Sequence, residues 1–160
     1  MESYLNLVRQ LSRFLNLIAG IAITFVMALT VGDVILRTFW RPIVGTYELV
    51  AFTGAVVIGF AVPMTSWVRG HIFVDFLINS FPRGIRDGFN VVTRLVSVGL
   101  FILVGWNLFV LGNDLIKSGE VTTTLLLPFY PVAYGLGICC FIQCLVLICD
   151  VVKIGGGKYE

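Results

Sequence analysis

The stretch DVILRTFWRPIVGTYE, residues Asp33 to Glu48, decides how the chain folds. It holds two carboxylates and two guanidinium groups, in a chain of which only 12% is charged. On its N-terminal side residues 14–36 are almost wholly apolar, and on its C-terminal side so are residues 47–68. A helix needs about 20 apolar residues to cross a hydrocarbon core about 30 Å thick. Both runs reach that length, so the charged stretch reads as the turn of a transmembrane hairpin. Arg41-Pro42 closes the first helix, because the residue before proline avoids the helical region. Phe39 and Trp40 suit headgroup depth, where aromatic rings collect.

Two more apolar runs follow, at 95–116 and 128–152. The chain is 58% hydrophobic with a mean hydropathy of +0.99, whereas a soluble domain is roughly 45–50% apolar and about 25% charged. None of the four runs alternates as the strands of a membrane barrel do over about 10 residues. The expectation is an all-α membrane protein, one domain over 1–160 with four transmembrane helices. The first run is too long for a signal-peptide core and shows no convincing cleavage site, so it should remain attached. Net charge is +2 and the basic residues are scattered, which gives no surface for nucleic acid. Eight of the eleven basic residues fall in the N-terminal arm (Arg9, Arg13), the middle loop (Arg69, Arg83, Arg86, Arg94) and the tail (Lys153, Lys158). Arg37, Arg41 and Lys117 fall in the other two loops. This bias predicts that both termini and the middle loop are cytoplasmic, with Asp33–Glu48 on the outer face.

Tyr4, Leu5, Val8, Leu11, Phe14, Leu15 and Ile18 recur at helical spacing, with Arg9, Gln10, Ser12 and Arg13 opposite. Residues 4–13 are expected to form an amphipathic interfacial helix; a plain cytoplasmic extension of the first span is the other reading. Asp33 and Arg37 are four apart on one helix face. They form either a local ion pair or a contact between subunits. Glu48 suits the first turn of the second helix, where a carboxylate complements the helix dipole. Ala51, Ala55 and Gly59 repeat every four residues, a spacing that lets helices approach closely in lipid. The middle loop, RGHIFVDFLINSFPRGIRDGF, is too short to span and too apolar to lie in water. Residues 72–88 are expected to lie at the cytoplasmic interface, with Arg83, Arg86 and Arg94 meeting lipid phosphates. Asn107 and Gln143 read as interhelical hydrogen-bonding groups. Pro128 is expected in the first turn of the fourth helix.

Catalytic constellations are missing from the sequence. A single histidine, His71, cannot supply a haem held by two imidazoles. Cys139, Cys140, Cys144 and Cys149 all lie in the fourth apolar run, without a C-x-x-C pair, and read as packing residues. There is no phosphate-binding loop, nucleophile elbow or H-E-x-x-H. The chain is therefore not expected to be an enzyme or to bind a metal or cofactor. Mid-depth positions carry no ionisable group of the kind carriers use, so it reads as the partner of something larger. A self-sufficient homodimeric exporter is the alternative, and Asp33 and Glu48 would be its first candidate residues.

Four segments resemble the small membrane subunit of tripartite ATP-independent periplasmic (TRAP) transporters, the DctQ-like family. They are DVILRTFW with Arg37, GTYELVAF with Glu48, RGHIFVDFL with His71 and Asp75, and the proline-rich start of the fourth span from Leu127 to Tyr134. GHIFVD is the most specific of them. One departure is the single acid at Glu48, where the family often has a pair. The resemblance implies a small subunit of the bacterial inner membrane, scaffolding a large sodium-coupled subunit that takes up an organic acid from a periplasmic binding protein. Sodium and substrate sites would belong to the large subunit. It further suggests that Arg37, Trp40, Arg41 and Glu48, with the Ala51, Ala55 and Gly59 stripe, serve the interface with the large subunit or the binding protein. Arg69, His71, Asp75, Arg83 and Arg86 would anchor the loop at the lipid surface. For His71 a purely local hydrogen-bonding role is the other reading.

Overall fold

The structure, a computed structural model, describes residues 2–68 and 83–155. Its helices are α1 (Glu2–Phe39), α2 (Thr46–Trp67), α3 (Arg83–Ser118) and α4 (Tyr130–Gly155). Each contains a segment long and apolar enough to cross a membrane. The fold is thus an all-helical bundle of four spanning-length helices. The α1–α2 and α3–α4 turns share one end, here called the two-turn end.

Helix α4 is the centre. It packs along α3 on one side and against α2 and α1 on the other, while α1 packs along α2. In the apolar window of α4, 44% of residues are buried, against 11% in each of the other helices. The composition of α4 explains this role. Cys139, Cys144, Val146 and Cys149 are small or slender, and they let neighbours close in from several sides. Val8 joins Val146 and Cys149, backed by Leu5 and Trp67. Leu15 joins Cys139 and Ile142, backed by Leu11 and Phe60. The α3–α4 seam is closest where glycines oppose each other. A Cβ at Gly137 would lie 2.8 Å from Phe109 Cε2 and 3.5 Å from the carbonyl oxygen of Gly105.

Helix boundaries differ from the sequence reading in three places. Residues 4–13 are not separated from the first span: α1 is one unbroken helix of 38 residues, about 57 Å long at 1.5 Å per residue. No proline interrupts it, and Val8 and Ser12 are buried. Helix α3 includes residues 83–94 ahead of the expected span 95–116. Of the expected interfacial segment 72–88, the part from 83 onward therefore forms the first turns of α3, and the rest lies outside the described residues. Helix α4 starts at Tyr130, so Pro131 rather than Pro128 takes the first-turn position. Pro128 instead forms an isolated bridge with Val121.

Candidate functional site

At the two-turn end, Asp33 organises the α1–α2 turn. Its Oδ2 accepts from Arg37 Nη2 at 2.8 Å, and its Oδ1 accepts from the backbone N–H of Ile43 at 2.8 Å. The Ile43 carbonyl accepts in turn from Thr46 Oγ1 at 2.9 Å. The local ion pair is thus formed, and the same carboxylate caps the turn ten residues on. Asp33 is buried, whereas the rim residues Phe39, Trp40, Arg41, Val44 and Tyr47 are exposed.

Glu48 opens α2, as its sequence position suggests, but its carboxylate is directed to the other turn. Oε1 accepts from the Thr124 N–H at 2.7 Å and from Thr123 Oγ1 at 3.1 Å, and Oε2 accepts from the Leu125 N–H at 2.8 Å. The α3–α4 turn that supplies these donors is itself closed. The Thr122 N–H donates to the Leu127 carbonyl at 2.9 Å, and the Leu127 N–H donates to Thr122 Oγ1 at 3.0 Å. Leu126 has φ 55, a left-handed conformation that costs a non-glycine residue about 1–2 kcal/mol. Gly45, with φ 81, lies under Leu125, where any Cβ would strike the leucine side chain. Phe52 stacks on Phe129 at 5.2 Å between ring centroids. The two turns therefore form one braced rim. Sequence reading missed the long-range part of this because hydrogen bonds between segments 75 residues apart leave no periodic trace; the Thr122-Thr123-Thr124 run was the only sign.

Within the bundle, polar groups join helix to helix. Gln143 Nε2 donates to Ser66 Oγ at 2.6 Å, linking α4 to α2. Asn107, the other expected interhelical amide, does not do this: it is exposed and donates to its own helix at Leu103 O, 2.8 Å. Arg94 corrects another expectation. It does not reach toward lipid phosphates but is buried, with Nη2 3.5 Å from Asp150 Oδ2, also buried. Asp150 falls near the end of α4, where its partner on α3 was not apparent from the sequence.

The small-residue stripe divides. Gly59 faces Leu136 of α4 inside the bundle, whereas Ala51 is exposed. Arg69, His71 and Asp75 lie outside the described residues. Arg83 and Arg86 fall in the first turn of α3. The exposed apolar surface lies mainly along α1 and α3, for example at Phe14, Leu17 and Ile21, and at Leu95, Leu103 and Trp106. A shallow groove on α1 is lined by Asn16, Leu17, Gly20, Ile21, Thr24, Phe25 and Ala28.

These polar groups brace turns and join helices, and the largest exposed surfaces are apolar. Such a bundle is suited to packing against other membrane-embedded surfaces. The curated proteins searched give no match. The family model described as the DctQ component of tripartite ATP-independent periplasmic transporters matches residues 26–154. That range takes in the Asp33–Glu48 hairpin, the GHIFVD stretch and the start of α4. The chain belongs to the DctQ family, the small components of TRAP transporters.

Proposed function

We propose that this chain is the scaffold subunit of a sodium-coupled system that takes up an organic acid delivered by a soluble binding protein. Membership of the DctQ family carries the reading. The geometry supports it: α1 and α3 offer long apolar faces to a larger membrane subunit, and α4 holds the bundle together from within. In this reading the chain is a multi-pass protein of the bacterial inner membrane. The lysine and arginine bias sets both termini in the cytoplasm and the two-turn end in the periplasm. Sodium and substrate are handled by the large subunit, whose fixed part this chain holds while the moving part slides.

The exposed rim residues Trp40 and Arg41 would meet the binding protein. Arg37, itself exposed, braces the rim through the buried Asp33, and Glu48 does so through the α3–α4 turn. The exposed Ala51 and the half-buried Ala55 would contribute to subunit packing, whereas Gly59 serves the bundle. Arg69, His71, Asp75, Arg83 and Arg86 would hold the middle loop at the lipid surface.

Reconstitution tests this assignment. Liposomes carrying the large subunit, with a sodium gradient and the binding protein outside, should take up substrate only when this chain is present. Equal uptake without it, or uptake by this chain alone, contradicts the scaffold reading. Arg41→Glu should reduce binding-protein-dependent uptake while leaving the two membrane subunits associated. Unchanged uptake would remove Arg41 from the docking rim.

A further inference from the structure

We infer that Glu48 is a positioning residue: it sets the docking surface from behind and does not itself touch the soluble partner. This rests on the reading that the two-turn end faces the periplasm and meets the binding protein. Three donors converge on the Glu48 carboxylate, and all three come from residues 123–125. Both oxygens are engaged, so the carboxylate is committed to the turn. Beside these donors, Glu120 and Leu126 of the same turn are exposed.

The turn requires such a hold. Leu126 occupies the left-handed region without being a glycine, and such a residue persists only where its surroundings over-determine it. Thr122 and the Val121–Pro128 bridge close the base of the turn. Glu48 and the packing of Leu125 on Gly45 fix its apex to α2. The chemistry of this surface selects the kind of partner. Irregular backbone cannot lie exposed to hydrocarbon, because its N–H and C=O groups would be left without partners. Residues 120–127 therefore do not face lipid tails, and in the proposed function their exposed side is open to the soluble binding protein. A surface fixed beforehand spares the complex the cost of ordering a loop on binding.

The test uses the complex of this chain with the large subunit, comparing wild type with Glu48→Gln. Hydrogen exchange is read at the Thr124 and Leu125 amides, and the dependence of uptake on binding-protein concentration is read in liposomes. Loss of the charged acceptor should speed exchange at both amides. It should raise the half-saturating binding-protein concentration by about tenfold, the equivalent of one charge-assisted hydrogen bond. The maximal rate should be retained, whereas a general folding defect would lower it. Faster exchange with unchanged half-saturation overturns the inference, and so does unchanged exchange. If Glu48→Gln does not assemble, Glu48→Asp keeps the charge but shortens its reach to the Thr124 and Leu125 amides, and is judged by the same two readings. A wild-type complex whose uptake ignores the binding protein would overturn the functional reading itself, a result separate from either variant's.

Discussion

Gln143 of α4 donates to Ser66 of α2 at 2.6 Å, and both side chains are buried. In lipid there is no hydrophobic force between helices, so such a bond is one of the few directional contacts available to fix their register. Gln143→Leu and Ser66→Ala should each destabilise the bundle. Their double-mutant cycle should give a coupling of about 0.6–2 kcal/mol, read from unfolding in mild detergent. Strict additivity would show that the bond carries no net stability.

The buried pair Arg94–Asp150 should behave asymmetrically. Removing Arg94 leaves the buried Asp150 carboxylate without its guanidinium, which costs about 3–5 kcal/mol, whereas replacing both with apolar residues of similar volume is often neutral. Arg94→Met should lower the yield of folded protein, and adding Asp150→Leu to it should recover it. Size-exclusion profiles of the two variants decide the matter. A double variant as poor as Arg94→Met would mean that the two charges act separately.

Two glycines on the α3–α4 pair should respond oppositely to alanine. At Gly137 the added methyl meets the Phe109 ring and the Gly105 carbonyl, and overpacking of this kind costs about 1–3 kcal/mol. At Gly99 nothing lies within 4 Å, and alanine is the better helix former by about 1 kcal/mol. Melting temperatures should fall for Gly137→Ala and hold or rise for Gly99→Ala. Equal shifts would deny that the glycine seam is tight.

Asp33 holds Ile43 and Arg37 through different oxygens. Asp33→Ala should expose the Ile43 amide to hydrogen exchange. Arg37→Gln should leave that amide protected, since the backbone bond does not involve the guanidinium. Deprotection by both variants would mean that the ion pair, not the cap, maintains the turn.

The sequence disclosed the fold through hydropathy. The second and fourth helices begin within two residues of the expected starts, at Thr46 and Tyr130, because Gly45 and the Pro128–Pro131 region mark them chemically. The first and third helices were less well bounded. A helix can continue past the lipid core into polar sequence without any signal, and α1 and α3 do so at Glu2 and Arg83. The site was legible in its members but not in its connections. Asp33, Arg37 and Glu48 stand out as charges between apolar runs, yet only three-dimensional placement shows Glu48 bound to Thr124 rather than to Arg37. Arg94 misled for a related reason: its loop-edge position looked lipid-facing, and its partner Asp150 lies 56 residues away.

The most direct measurement is a mild-detergent pull-down with this chain tagged, followed by mass spectrometry. A scaffold subunit should bring with it one large multi-span membrane protein at about one to one, held by the apolar faces of α1 and α3. Recovery of the chain only with itself, as a stable dimer that moves a substrate in liposomes, would contradict the account and turn attention to Asp33 and Glu48 as transport residues.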